Sequence, residues 1–429
     1  MEKAGRHPLV KVGIIGIGAM GKGLFYQCHI TSGIECTVIC DKIIERCIDA
    51  VELLQVPYKV VESADALNQV ISEGLIAICS DGRLLSEAEG IDAVIEASNS
   101  IAPAAGYAIT ALKHHKHVVL MNSEVDLMYG PLLSAMAAEN GVVCTSCDGD
   151  QYGVMKHLID DLVHWGFELV MVGNIKGFLD RYVDPTTIIP EADKRNLDYR
   201  MCASFTDGTK LNIEMAIIAN AYGLSTRVPG MWGPSMDRVE KVLDSYDFDR
   251  LWRDRTPFVD YILGAEPGGG VFAVGHCENT YQRFMLSYYK MGKGPYYLFY
   301  RPYHLCHIEA MEAVLDAVLH GECFLSPRCG FQTNVFAYAK CDLPAGQSLD
   351  GPGGYTCYGK IENCTDNTNR PGIPVCLADH LILRRSIRKD ERIGLENVSI
   401  DWERPDWQLY KKAMAQSMKI RTVKDENNV

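Results

Sequence analysis

One phrase constrains this chain more than any other: KVGIIGIGAMGKGL, in which Gly16, Gly18 and Gly21 form GxGxxG. It stands directly after a β-rich run, Val10 to Ile15, and directly before a helical pattern, Gly21 to Ile30. In that context each glycine has a task. Gly16 permits a sharp turn, Gly18 has no Cβ to block a pyrophosphate, and Gly21 lets the helix lie close to the sheet. The helix start, with Ala19 and Met20, then offers the diphosphate free N–H groups and the positive end of a dipole. A glycine-rich turn without a ligand is the alternative. The pattern downstream is that of a doubly wound parallel sheet. Further strands read as Glu35 to Cys40, Leu75 to Cys79, Ala93 to Glu96, His117 to Leu120 and Val142 to Thr145. Helical segments lie between them at Ile43 to Leu54, Ala64 to Glu73, Pro103 to His114 and Tyr129 to Asn140.

The strand ends carry the cofactor candidates. Asp41 ends the second strand, where a carboxylate accepts both ribose hydroxyls of NAD. Lys42 follows at once and would pair with the 2′-phosphate of NADP if Asp41 turned aside, so the choice between NAD and NADP stays open. Ala97, Ser98 and Asn99 end the fourth predicted strand, where they border a nicotinamide ribose or simply cap the next helix.

A chain of 429 residues is long enough for two or three domains. Residues 1–151 read as the nucleotide-binding domain, with a returning segment at about 296–325. Residues 152–295 read as an α+β catalytic and dimerisation domain, with helix Tyr152 to Trp165, strand Leu169 to Lys176, a loop to about Ala192 and helix Thr209 to Tyr222. Helix Ile308 to His320 belongs to the return. Residues 332–400 read as a small all-β module with short strands (Val335 to Cys341, Thr356 to Tyr358, Leu381 to Leu383) between turn clusters such as GPGGY and NTNRPGIP. Residues 401–429 read as a helix and polar tail.

A formal charge of −13 repels phosphate backbones and anionic lipid, which argues against nucleic-acid or membrane partners and leaves a small-molecule substrate. A homo-oligomer, dimer or tetramer, is expected. The N-terminus runs straight into a strand and no window offers 18 uninterrupted apolar residues, so a cytoplasmic protein is expected. Most of the sixteen Cys sit singly in apolar runs and read as reduced, buried thiols. The CxxC of Cys144 and Cys147 has no second pair at zinc-ribbon spacing, and His304 and His307 have no third ligand near in sequence, so no obligatory zinc is expected.

Beyond these patterns, the N-terminal half resembles homoserine dehydrogenase. The likeness is carried by GIIGIGAMG, IDAVIEASNS, HVVLMNSE and GNIKGFLDRY, with a weaker echo in TDGTKLNIEMAIIA of the helix that bears that family's catalytic lysine. The C-terminal phrases LPAGQSL and IRKDERI resemble the SAF module. Together they are similar to the SAF-domain NAD(P)-dependent oxidoreductases that include the DXR-like enzymes, which reduce and isomerise 1-deoxy-D-xylulose 5-phosphate. The resemblance implies a Rossmann α/β fold with a SAF-like β module, a nicotinamide cofactor and oxidoreductase chemistry. It also departs from the pattern. The Asn-Lys pair of homoserine dehydrogenases is Asn122-Ser123 here, followed by Glu124, which removes one catalytic lysine and argues against homoserine as substrate. Asn122 remains a cofactor-side candidate.

Reduction of a carbonyl needs a proton for the developing alkoxide. Lys210, in the first turn of its helix, takes that role on the echo above, with Asp207 holding its orientation; an exposed Lys210 paired with Glu214 is the alternative. Lys176, at the end of an apolar strand between glycines, is placed to grip a phosphate or carboxylate, or is merely solvated. Glu124 joins these as a catalytic candidate. Asp148 and Asp150, in CDGDQYG, are placed to bind substrate hydroxyls, or with Glu124 to hold a divalent cation that this reading does not require; a turn built by the two Asp is the alternative. Lys194 and Arg195 read as an anion clamp, a lid or a solvated face. A non-catalytic sensor of the nicotinamide redox state that presents the SAF-like module is the competing function, disfavoured by the charged residues at the strand ends.

Overall fold

The computed structural model describes residues 9–195, 197–367 and 371–427. The N-terminal MEKAGRHP, Asn196 within KRNLDYR, the middle of the NTNRPGIP cluster and the last two residues lie outside the described residues. The chain divides into two compact units. One takes the chain up to Asp150 together with Leu305–Ser326 and Leu409–Gln416; the other takes Gln151–His304, Pro327–Gln408 and the chain from Ser417.

The first unit is built on a seven-stranded sheet. Its strands are β1 (Val10–Ile15), β2 (Ile34–Cys40), β3 (Tyr58–Val60), β4 (Ile76–Cys79), β5 (Ala93–Glu96), β6 (His117–Leu120) and β7 (Cys144–Ser146). The order is β3-β4-β2-β1-β5-β6-β7 with every pairing parallel. Parallel strands are covered on both faces and therefore read as continuous apolar runs; Val12, Ile14, Val38, Ile39, Ile78, Val94, Ile95 and Val119 are fully buried. The helices are α1 (Ala19–Ile30), α2 (Ile44–Leu54), α3 (Ala64–Ser72), α4 (Gly82–Glu87), α5 (Ala102–Lys113) and α6 (Ser123–Glu139). The chain order reverses between β1 and β5, so the crevice that binds ligands in open α/β sheets lies at their carboxyl ends.

Three elements differ from the sequence reading. The edge strand β3 and the short α4 were not expected, since three and six residues carry too little periodicity. Helix α6 starts at Ser123 rather than Tyr129. Asn122 caps it, accepting from Val125 N at 3.2 Å, and burial nearly all round its first half leaves no polar stripe to mark it.

The second unit contains α7 (Gln151–His164) and a five-stranded mixed sheet, formed by β8 (Glu168–Lys176), β9 (Ser225–Thr226), β10 (Phe258–Leu263), β11 (Val271–His276) and β12 (Tyr296–Arg301) in the order β12-β11-β8-β10-β9. One face buries Met171, Ile175, Phe258, Ile262, Phe272 and Val274 against Val239, Val242, Tyr246, Phe248 and Trp252. Helices α8 (Ile189–Arg195), α9 (Tyr199–Thr206) and α10 (Thr209–Tyr222) complete this part. Tyr296–Arg301 thus does not begin the return to the first domain. It pairs antiparallel with β11 along its whole length, and the return is Leu305–Ser326. The helix Cys306–Leu315 packs on α1, with Cys28 Sγ 3.5 Å from Met311 Sδ and the His307 ring against Gly23.

The all-β segment is a hairpin, β13 (Thr333–Ala339) with β14 (Cys357–Asn363), surrounded by short bridges. The phrases LPAGQSL and IRKDERI lie side by side, since Leu343 and Ile387 exchange backbone hydrogen bonds at 2.8 and 2.9 Å. The segment belongs to the same compact unit as residues 151–304. The reason is visible in α10, whose Thr209 and Asn212 side chains each accept a backbone N–H from β14, at Gly359 and Ile361, both at 2.8 Å. A helix from Pro405 to Asn427 ends the described chain. Among the described residues no helix is long and apolar enough to cross a membrane.

Candidate active site

In the first unit the glycine turn has the geometry a dinucleotide needs. Gly16 has φ +90°, and a Cβ there would stand 2.5 Å from Ser98 N, so the turn after β1 touches the turn after β5. A Cβ on Gly21 would lie 1.8 Å from Gly16 O, which only glycine avoids. The Cβ direction of Gly18 meets nothing within 4 Å, leaving open space beside the helix start. Gly18 caps α1 without any side-chain hydrogen bond and the first turn holds no acidic residue, so the orphan N–H groups have no anionic side chain of their own. Ala19 and Met20 are exposed at that end. These residues fit a bound diphosphate.

Asp41 is buried at the end of β2, and its carboxylate ties the loop together. One oxygen accepts from Ile17 N at 2.8 Å and the other from Ile43 N at 2.9 Å. Each oxygen keeps a second lone pair for a ribose hydroxyl. Lys42 is exposed, and Arg46, which sequence reasoning missed, holds its guanidinium 3.8 Å from Asp41.

The turn after β5 brings Ala97, Ser98 and Asn99 to the same crevice, with Asn99 exposed. Asn122 braces this turn rather than facing solvent. Its amide donates to Ser98 O at 2.8 Å and Ser100 O at 2.7 Å. Glu96, also missed, is wholly buried beneath it. One of its oxygens accepts from Ser98 N at 3.1 Å, and burial pushes its carboxyl up to about 7 against the lowering by Ser98 and Asn122. Its signal was an acid closing a buried parallel strand.

Glu124, Asp148 and Asp150 are all buried in this unit. Asp148 accepts from the next residue, Gly149 N, at 2.6 Å, as an Asp-built turn does, and Cys306 Sγ lies 3.9 Å from Asp150. Ser123 Oγ is 3.2 Å from Glu124. Asp126 forms a 2.5 Å hydrogen bond with Ser146 Oγ, and burial raises its carboxyl to about 6. Cys144 and Cys147 are buried free thiols, both pushed well up by desolvation.

The second unit holds the lysines of the sequence reading. Lys210 stands in the first turn of α10 and is only 7% exposed, with Glu214 at 5%; the alternative of an exposed surface pair is therefore excluded. Lysine is seldom buried to this degree unless it is paired. Lys176 ends β8, half-buried, and donates to Phe205 O at 2.8 Å. Burial lowers its pKa, while the charges of Glu214 and Asp207 oppose that shift.

Asp207 has partners that the sequence reading did not foresee. One carboxylate oxygen accepts from Thr209 N at 2.7 Å and the other pairs with Lys340 at 2.9 Å. Lys340, from the end of the β hairpin, is itself buried and donates further to Val183 O and Gly354 O, both at 2.7 Å. The three donors of that ammonium are thus all engaged. Nothing local marked Lys340, because its partners lie far along the chain. Lys194 and Arg195 project into solvent from α8 and pair with Glu191 at 2.7 and 3.8 Å, the solvated-face arrangement. His304 meets Gly269 O at 2.6 Å.

Residues 149–310 match the family model described as the catalytic domain of oxidoreductase DRL. Over 137 residues, 31% of this chain, the sequence is 24% identical to a homoserine dehydrogenase of Bacillus subtilis; the match spans 28% of that relative's length. Similar solved structures include a probable dehydrogenase from Thermotoga maritima, at 13% identity over 73% of this chain and 90% of that one, TM-score 0.44. Others are 1-deoxy-D-xylulose 5-phosphate reductoisomerase from Zymomonas mobilis with NADPH, at 14% identity over 49% and 57%, TM-score 0.33, and scyllo-inositol dehydrogenase from Lactobacillus casei, at 15% over 63% and 66%, TM-score 0.33. The parallel sheet, its glycine turn and the family match define an enzyme of the NAD(P)-dependent dehydrogenase and reductase class.

Proposed function

We propose that this enzyme reduces a carbonyl, or oxidises the corresponding secondary alcohol, of a small polar metabolite that carries a phosphate or carboxylate. The observation that carries the reading is the burial of Lys210, Glu214 and Asp207, with half-buried Lys176 in the field of those two carboxylates, in a chain whose other unit presents an uncapped glycine turn. When bound, the nicotinamide supplies or accepts a hydride at the substrate carbon. The turn from Gly16 to Gly21 holds the diphosphate through backbone N–H groups, and Asp41 takes ribose hydroxyls. Lys210 gives its proton to the oxygen as the C=O π pair moves onto it, and takes it back in the reverse direction. Lys176 holds the anionic end of the substrate. Lys340 and Asp207 fix the start of α10, so the β segment acts as a support for the catalytic helix.

Both NAD and NADP remain candidates, and the likeness of the β segment to the SAF module belongs to this proposal. The first substrate to test is 1-deoxy-D-xylulose 5-phosphate, followed by other ketose phosphates and keto acids. The test follows oxidation of NADH and NADPH by absorbance, with and without Mg²⁺. Turnover of none of these carbonyl compounds with either cofactor, in a protein that binds the cofactor, would leave the redox-sensor reading in its place.

A further inference from the structure

We infer that the β13–β14 hairpin carries a second site, built by Arg181 and Lys360, that binds a phosphate or phosphomonoester group. Gly359 faces α10, since a Cβ there would lie 3.1 Å from the Thr209 methyl group, so the alternation of β14 turns Tyr358 and Lys360 to the opposite face. There the Lys360 ammonium stands 4.4 Å from the ring centre of Tyr338 and 5.5 Å from that of Tyr358. The Arg181 guanidinium approaches the same Tyr358 ring at 5.9 Å. Two cations share one tyrosine ring, and both are half-buried.

The carboxylates nearby are committed elsewhere. Glu362 accepts from the Tyr338 hydroxyl at 2.8 Å and from Arg392 Nε at 2.7 Å. Asp390 accepts from the Tyr358 hydroxyl at 2.8 Å and the Tyr182 hydroxyl at 3.0 Å. Among the described residues, neither Arg181 nor Lys360 has a carboxylate at ion-pair distance, while a third cation, Lys389, lies 3.4 Å from the ring centre of Tyr182. Desolvation, and then the charge of Arg181, push the pKa of Lys360 down, with Asp390 and Glu362 opposing from a distance. Like charges held together in a partly dry, aromatic setting cost free energy that an external anion would relieve. A guanidinium fork and an ammonium that feel each other's charge across one tyrosine suit the tetrahedral oxygens of phosphate. The site stands independently of the proposed reaction, which assigns nothing to these two residues.

The test uses the full-length protein with ¹³C-labelled lysine. The Lys360 ε-methylene resonance is identified by its loss in Lys360→Met. Inorganic phosphate should move it saturably, beyond the effect of chloride at matched ionic strength, and Arg181→Met should weaken that response at least about tenfold. If Arg181→Met fails to fold, Arg181→Lys keeps the charge, removes the fork and should still weaken binding. A resonance that responds equally to chloride, or an affinity unchanged in a folded Arg181 variant, would overturn the assignment: the cations would then be hydrated and stacked only.

Discussion

Glu96→Gln isolates the energetic cost of a charge beneath the cofactor crevice. The carboxyl is wholly buried, one oxygen accepts from Ser98 N, and the other has no hydrogen-bond partner among the described residues. Its pKa rises from the ordinary 4.5 to about 7 because ionisation takes place out of water. A carboxyl raised in the folded state favours folding while it is protonated. That contribution is fully present below the unfolded value and is lost as pH climbs through about 7. At 1.36 kcal/mol for each pH unit, the span from 4.5 to about 7 makes the ionised form less stable by about 3 kcal/mol. Glutamine reproduces the neutral shape and cannot ionise. Urea unfolding followed by circular dichroism should therefore find the two proteins similar near pH 4, with Glu96→Gln more stable by up to about 3 kcal/mol near pH 9. Every other titrating group is shared, so the difference belongs to Glu96. A gap that stays constant between those pH values would refute the reasoning.

Gly18→Val should abolish nicotinamide binding, read by fluorescence of the reduced cofactor, without changing the circular dichroism, because the space it fills touches no protein atom. Lys340→Met should lower stability by about 3–5 kcal/mol, the cost of stranding Asp207 buried and unpaired, and Lys340→Met with Asp207→Leu should recover part of it; equal loss in both would count against the pair. With a substrate in hand, Lys210→Met should reduce kcat by about 10²–10⁴-fold with cofactor affinity nearly intact. Lys176→Met should instead raise KM with a smaller change in kcat; near-normal kcat in Lys210→Met would end the assignment of the proton donor.

The nucleotide unit was legible in the sequence because its determinants are local. A GxGxxG turn places its glycines within one loop, and fully buried parallel strands announce themselves as apolar runs. Asp41 was found for the same reason: it ends a strand that is itself recognisable. Even there, the loss of a polar stripe hid the first turns of α6, and a three-residue edge strand left no period to count.

The chemistry of the second unit was legible as residue types only. Lys210 and Asp207 stand three residues apart and invite pairing on paper, yet Asp207 is held by Lys340, 133 positions further on. Whether Lys210 is a surface lysine or a buried base depends on what covers α10, and β14 supplies part of that cover. Tyr296–Arg301 reads in sequence as the start of the return, and only its pairing with β11 assigns it to the second unit's sheet. The physical reason is common to all three. Backbone geometry is set by neighbours in sequence, whereas desolvation and ion pairing are set by neighbours in space. The sequence by itself determined the glycine turn, the parallel sheet and the cofactor class; the tertiary structure decided which charges are dry, and which partners hold them.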